Sequence, residues 1–453
     1  MFPRSEYPSR LSLTLAIEAL SRVESDEIGV SLALAKTVRL LGAEDYGAIS
    51  SANKLVRETL RRQNLIDKII HTVLDPQLVE GLGLGARSFL RLYTYQARLS
   101  GRGKTHPSAL IKFGREILGW KEMAPIEEAL GKILSLDVKT LFAGIGDDER
   151  IGLETFNPAW FVQYCTRLLG RGEALRLLRK NIEIPPVYVR LNSLKRNEKE
   201  ILARISSEGV TAQPVENLRF FYRVIKAKVP LTRLEAFREG LFFIQDKSSC
   251  LAVEVCGARP GLTVLDVCAA PGAKTTYLSQ LMENSGRICS IDYSSMRIGV
   301  LKRELERMGA KIVHPMVADA CRSLPLNMEA DVLVLDPPCS STGVFWKNPL
   351  AKWRVEPNLI RQMAATQYTM LENCADHVKQ GGVLVYSTCS ITMEENEMLV
   401  ERFLKRNPSF TLVRAEPWVG LPALRGQTDA QRLYPHIHDS NGFYVAKLVK
   451  SSE

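Results

Sequence analysis

The chain has 453 residues, 45% apolar and 24% charged, with nine scattered cysteines and a formal net charge of +10. That length fits two to four domains, and that composition excludes a disordered or low-complexity protein. There is no apolar run long enough to span a membrane, no signal-peptide pattern over Met1–Arg10 and no Cys-x-x-Cys pair. A membrane protein, a disulfide-stapled domain and a zinc or other metal site are therefore not expected, and a reducing cytoplasm is. The basic balance is read as either a polyanion partner such as nucleic acid or a generic basic surface.

Residues 1–148 are predicted to be helical throughout. Leu11, Leu13, Ala16, Ile17 and Leu20 recur at helical spacing, as do Leu32, Leu34, Val38 and Leu41. A third helix is expected to carry Leu55, Val56, Leu60, Leu65, Ile66, Ile69 and Ile70, with Arg57, Arg61, Arg62 and Lys68 on its other face. That face is read as solvated, or as a grip on phosphates. A fourth helix covers Arg87–Leu99. The polar segment Gly144–Arg150 marks a domain boundary.

Residues 149–239 are expected to form a small α+β domain behind leading helices. Asn157 caps the first helix, with Pro158 at its first position. A strand covers Val187–Leu191, a helix Glu198–Glu208, and strands lie near Phe220–Ile225 and Leu241–Gln245. Arg190 and Asn192, polar groups at a strand end, are candidate RNA contacts, with turn stabilisation the equal alternative for Asn192.

Residues 240–453 alternate strand and helix, the pattern of an α/β fold with a doubly wound, mostly parallel sheet. Strands are expected at Thr263–Val267, Arg287–Asp292, Lys311–Val317, Asp331–Leu335, Val383–Tyr386 and Phe443–Val449. Thr392-Met393-Glu394-Glu395 reads as a capping box for a following helix. Ligands in such a sheet bind beyond the carboxyl ends of the strands. The turn Asp266–Thr275 follows the first strand with small residues and a helix start, and Asp292 ends the second strand about twenty residues past Gly272, the arrangement of an adenosine-type cofactor site. Neither Gly-x-Gly-x-x-Gly nor a nucleoside-triphosphate loop is present. Asp319 follows the third strand, where an adenine amino group could be read.

Two further strand ends carry chemistry. Asp336-Pro337-Pro338-Cys339 follows the fourth strand, and Ser387-Thr388-Cys389-Ser390 ends the fifth. Two prolines make a rigid turn. A lone thiol there would be read as packing; two beside a carboxylate match one reaction. Carbon 5 of cytosine is too weak a nucleophile to be methylated directly. A thiolate adding to carbon 6 activates it, an acid at ring nitrogen 3 assists, and a base must then remove the carbon-5 proton.

Several stretches carry a resemblance. Phe243–Ser249, Asp266–Thr275, Asp336–Ser340, Ser387–Ser390 and Gly442–Ala446 resemble the RNA cytosine-5 methyltransferases related to bacterial Fmu/RsmB and the eukaryotic NSUN proteins. The stretches Ala52–Leu74 and Ala86–Leu92 resemble the RNA-binding antitermination factor NusB, and Asn157–Asn192 fits the small RNA-binding domain preceding the catalytic one. The resemblance implies a Rossmann-like class I methyltransferase domain with a seven-stranded sheet, behind an RNA-recognition-like domain and a NusB-like bundle. It implies Cys389 as covalent nucleophile and Cys339 as release cysteine. It implies S-adenosylmethionine contacts from Cys268, Ala269, Ala270, Pro271, Gly272, Lys274, Asp292, Arg297, Asp319 and Asp336. Ribosomal RNA is the favoured substrate and transfer RNA the alternative, with a monomeric protein expected. An amine-directed methyltransferase and a non-catalytic RNA-binding assembly factor are the competing readings. Ala273 departs from the family's Gly-Gly-Lys and is expected to lie already in the helix, and Asp439 falls outside the family's usual aspartate position.

Overall fold

The structure, a computed structural model, describes residues 8–101 and 106–452. Most of Met1–Arg10, where no signal peptide is expected, lies outside the described residues. The chain divides into two units: Met1–Ile182 with Asn348–Arg354, and Glu183–Lys347 with Val355–Glu453.

The first unit is helical. Its opening helix, Arg10–Ser25, starts at a serine whose side chain accepts a hydrogen bond from Ser12 N, and it buries Leu13, Ala16, Ile17 and Leu20 on one face. The predicted third helix is two helices, Tyr46–Arg61 and Gln63–Val73, broken at Arg62. The arginines between them are used internally: Arg61 and Arg62 pair with Glu58, and Arg61 also donates to Asn181 O at 2.9 Å. The expected boundary near residue 148 falls inside the helix Asp147–Glu154. That helix and the next two, Ala159–Leu169 and Arg171–Lys180, belong to the helical unit. Asn157 is not their cap. Its buried amide donates to Thr155 O and Leu178 O, and Pro158 stands at the cap position. Among the described residues, no helix is long and apolar enough to cross a membrane.

The second unit holds two sheets. The smaller contains β1 (Val187–Leu191), β2 (Val210–Pro214), β3 (Phe221–Ala227) and β4 (Phe242–Ile244), in the antiparallel order β2-β3-β1-β4. Because β4 pairs with β1, this small α+β piece runs to Ile244, past the expected boundary at 239. The helix Glu198–Ser207 is capped by Asn197 and buries Ile201 and Ile205.

The larger sheet contains β5 (Thr263–Val267), β6 (Arg287–Asp292), β7 (Val313–Val317), β8 (Ala330–Leu335), β9 (Val378–Thr388), β10 (Phe410–Val413), β11 (Leu421–Pro422), β12 (Gln431–Leu433) and β13 (Phe443–Lys450). Its order is β11-β12-β13-β9-β8-β5-β6-β7, with β10 also on β13. Five adjacent strands, β9, β8, β5, β6 and the edge strand β7, are parallel, and β13 returns antiparallel to β9. The expected seven strands are thus nine; β11 and β12, of two and three residues, are short additions. Along β5, Val264 packs on one face and Leu265 and Val267 on the other, so both faces are covered, as a parallel sheet requires. From β5 the chain proceeds outward to β6 and β7, then crosses back to β8 and β9. That reversal opens a crevice at the carboxyl ends of β5 and β8.

Candidate active site

Each of the five parallel strands delivers one piece to that crevice. After β5 the backbone takes a positive φ at Cys268 (65°) and again at Gly272 (113°), where the helix Ala273–Leu281 begins. A Cβ at Gly272 would stand 2.7 Å from Leu301 Cδ1, a side-chain end that would have to shift, and the left-handed backbone is what calls for glycine there. Ala273 is the first helical residue, as expected, and carries no such demand. Beneath the turn, Asp266 is buried and accepts from Thr275 Oγ1 at 2.5 Å; burial raises its carboxyl to about 6.

Asp292, at the end of β6, is almost wholly buried. It accepts from Ala270 N at 3.3 Å and Ser294 N at 3.2 Å, and pairs with Arg297 at 3.3 Å. Arg297 also donates to Ala270 O at 2.5 Å. The acid and the arginine therefore brace the glycine turn. Asp319, after β7, holds its own turn by accepting from Cys321 N at 2.9 Å.

Asp336, after β8, is ion-paired with Lys274 Nζ and accepts from Ser387 Oγ at 3.1 Å. Burial alone would lower the Lys274 ammonium, but the Asp336 carboxylate more than offsets it and the net shift is upward. Parallel pairing of Leu335 with Tyr386 sets Cys339 and Cys389 at the same sheet edge, with their Sγ atoms 3.0 Å apart. Both are free thiols. The Cys339 thiol is pushed well above its ordinary value, first by its hydrogen bond with Cys389, then by burial.

These strand ends line a cavity of about 330 Å3. From the predicted set, Cys268, Ala270, Arg297, Asp319, Asp336, Cys339 and Cys389 line it. Ala269, Pro271, Gly272, Lys274 and Asp292 do not; they build or brace its wall. Sequence reasoning missed Tyr293, Ser341 and Met370, which also face the cavity. Tyr293 could have been found, since it directly follows the strand-end acid. Ser341 Oγ lies 3.7 Å from Cys389 Sγ. Two carboxylates, an aromatic ring and apolar walls from Ile291 and Met370 suit a cationic, adenosine-bearing ligand.

Two expectations need correction. Arg190 is fully buried, donates to Gln280 Oε1 at 3.1 Å and Thr276 Oγ1 at 2.8 Å, and lies 4.6 Å from the Tyr277 ring centre. Asn192 is 1% exposed and donates to Gly240 O and Met308 O, both at 2.8 Å. Neither side chain is free to touch RNA: Arg190 anchors the small sheet to the helix beside it, and Asn192, whose Oδ1 also accepts from Leu194 N at 3.2 Å, has the turn-stabilising role that was its equal alternative. The presumed capping box is also something else. The helix begins at Glu397, and Glu395 is a fully buried hydrogen-bond acceptor beside the thiols.

Residues 255–449 match the RsmB/F family of 16S rRNA methyltransferases. Over 450 residues the chain is 27% identical to a probable ribosomal RNA small subunit methyltransferase B from Bacillus subtilis, spanning 96% of this chain and 98% of the relative. Over 229 residues, 50% of this chain and 57% of the relative, it is 35% identical to a tRNA (cytosine(72)-C(5))-methyltransferase from Pyrococcus horikoshii. The crystal structure of PH0851 superimposes with a TM-score of 0.82 at 29% identity, covering 98% of this chain and 99% of that one. With a helical N-terminal region and a methyltransferase-like β-sheet domain, the chain is a homologue of the RsmB/F-family ribosomal RNA 5-methylcytosine methyltransferases.

Proposed function

We propose that the protein methylates carbon 5 of cytosine in RNA, with ribosomal RNA the favoured substrate, using Cys389 as covalent nucleophile and Cys339 as the group that releases it. The observation that carries this reading is the pair of thiols 3.0 Å apart at the floor of a cavity that also holds Asp336. The reading takes the parallel sheet as a Rossmann-like cofactor domain and the helical unit as a NusB-like RNA-binding domain.

S-adenosylmethionine fits the acidic, partly apolar cavity; Cys268, Ala270, Tyr293, Arg297, Asp319 and Asp336 would hold it, and when bound it supplies the electrophilic methyl group. The protein's own groups do the rest. Cys339 donates to Cys389 and stabilises the thiolate that adds to carbon 6. The Lys274–Asp336 pair keeps a proton at the cavity wall, available to ring nitrogen 3. Once Cys389 is bound to the base, Cys339 is the adjacent proton-exchanging group. With Cys389 spent in that bond, Cys339 gives its own proton to solvent; the thiolate so formed takes the carbon-5 proton as the C5–C6 double bond re-forms and Cys389 leaves carbon 6 as a thiolate.

The test is covalent trapping. Cys339→Ala should accumulate a protein–RNA adduct stable to denaturing electrophoresis, and Cys339→Ala/Cys389→Ser should not. No adduct from the single variant, or an adduct surviving in the double, would refute the assignment of the thiols. Transfer RNA is the second reading, favoured by the similarity to the tRNA methyltransferase. Bisulfite sequencing of total RNA from cells lacking the protein separates the two. An amine-directed reaction is disfavoured because Cys339 stands where a stacking ring would be needed.

A further inference from the structure

Between the two thiols and the helix Glu397–Arg406 lies a carboxylate that the chemistry above does not use. Glu395 has no exposed surface. Its Oε1 accepts from Ser340 N at 2.7 Å and Gln367 Nε2 at 2.9 Å. Its Oε2 accepts from Ser340 Oγ at 2.5 Å, Ser390 Oγ at 2.6 Å and Thr392 Oγ1 at 2.7 Å. Five donors converge on one group, and among the described residues no lysine or arginine is ion-paired with it. Ser340 directly follows Cys339, and Ser390 directly follows Cys389. A second tie runs beside the first, since Thr342 Oγ1 and Ser390 Oγ are 2.9 Å apart. Tyr386 closes the set, donating to the backbone oxygen of Glu395 at 2.7 Å.

A buried carboxylate without a cation persists only where hydrogen bonds replace its water. Here four of the five donors come from the two segments that carry the thiols, and the fifth is Gln367. We propose that Glu395 is the positioning residue of the thiol pair: one carboxylate binds the residue after each cysteine, sets the separation of the two sulfurs, and keeps the proton of the pair on Cys339. The inference rests on the proposed roles of Cys389 and Cys339.

Two effects follow. The first is geometric, because an error of about an ångström in a reacting atom is costly. The second is electrostatic. The groups facing Cys339 are Cys389 at the end of β9, Glu395, Tyr386, and on its own turn Asp336 with its partner Lys274. Alongside the larger effects of Cys389 and burial, the negative charge of Glu395 disfavours a second anion at Cys339. Cys339 then stays the donor and Cys389 the acceptor, which answers why two similar thiols have different jobs.

Glu395→Gln keeps the shape and removes the charge. The direct readout is the pH dependence of iodoacetamide alkylation of the Cys339 peptide, followed by mass spectrometry on the whole protein. The midpoint should fall by roughly half a pH unit or more in Glu395→Gln and return in Glu395→Asp. In methylation assays kcat should fall about tenfold or more, while KM for S-adenosylmethionine stays within about twofold. An unmoved midpoint with wild-type kcat overturns the proposal. So does a loss of kcat that merely tracks lost melting temperature and cofactor affinity, since that marks a structural role alone. Should Glu395→Gln not fold, Ser390→Ala removes one donor only: lower kcat at unchanged cofactor affinity supports the proposal, and unchanged kcat defeats it. The alkylation measurement needs no RNA. Wild-type protein that forms neither adduct nor 5-methylcytosine therefore sinks the proposed function, while an unmoved Cys339 midpoint sinks the role of Glu395.

Discussion

Asp266→Asn should stabilise this protein, and only above a definable pH. Asp266 sits under the cofactor turn with 1% exposure, and burial raises its carboxyl from 3.8 to about 6 despite the hydrogen bond from Thr275. Between those two values the folded state binds more protons than the unfolded one. Stability is therefore greatest below 3.8 and falls as pH rises through 6. The shift from 3.8 to about 6 corresponds to about 3 kcal/mol by the end of the window. Asparagine is a near-isosteric stand-in for the neutral acid and still accepts from Thr275. At pH 8 the variant should gain about 3 kcal/mol, or roughly 6–12 °C in melting temperature for a unit of this size. At pH 4 the gain should vanish. The wild-type pH profile alone would not reveal this. Burial pushes His438 down to about 4 from 6.5, and that imidazole acts in the opposite sense over nearly the same range. The measurement is the difference in melting temperature between variant and wild type by calorimetry, from pH 4 to pH 8. A difference independent of pH, or a variant less stable at pH 8 than at pH 4 relative to wild type, would show that Asp266 is not the strained acid described here.

Three further outcomes are expected. His438→Gln should remove a loss of stability that sets in as pH falls from 6.5 toward 4, because the native imidazole is held neutral while the unfolded one takes up a proton; melting curves over that range check it. Arg190→Leu should cost about 1–3 kcal/mol in urea unfolding by stranding Gln280 and Thr276, yet leave the salt dependence of RNA binding unchanged; a shallower salt slope would restore Arg190 as a phosphate contact. Gly343→Ala should cost about 1–3 kcal/mol or more and most of the methylation rate. Its Cβ would meet Gly442 O at 2.0 Å, and its N–H already donates to Cys389 O at 3.0 Å, so the strain is delivered to the thiol; rates measured on RNA test it.

The parts of this molecule that could be read from sequence are those fixed by neighbours in sequence. Alternating strand and helix, the glycine turn at Gly272 and the thiols at two strand ends are local patterns, and the parallel sheet follows from them. What escaped was set by distant partners. Glu395 sits three residues after a threonine and looks like half of a capping box, whereas Ser340 and Gln367, which occupy it, lie 55 and 28 residues earlier. Arg190 and Asn192 look exposed at a strand end because nothing local announces Thr276, Gln280 or Met308 beside them. The Gly- and Asp-rich segment near residue 148 has the composition of a linker, but it opens a helix held by Asn64, whose amide donates to Gly152 O within that helix at 2.9 Å and to Asn157 O in the loop after it at 3.3 Å. Likewise Lys352, far along in sequence, belongs to the helical unit, where its buried Nζ donates to Arg61 O at 2.8 Å.

The adjacency of β8 and β9 has a consequence for what limits turnover. Neighbouring strands of one sheet hold the sulfurs at a spacing fixed by backbone pairing, so no hinge or lid has to close to assemble the pair. On the proposed function, the variable step would then be carried by the RNA, whose target nucleotide would have to leave its stack to reach the cavity. Selectivity would accrue to cytosines that are already loose, in a bulge, a loop or an incompletely folded precursor. A protein with a rigid centre would in this way sense the folding state of its substrate without moving itself.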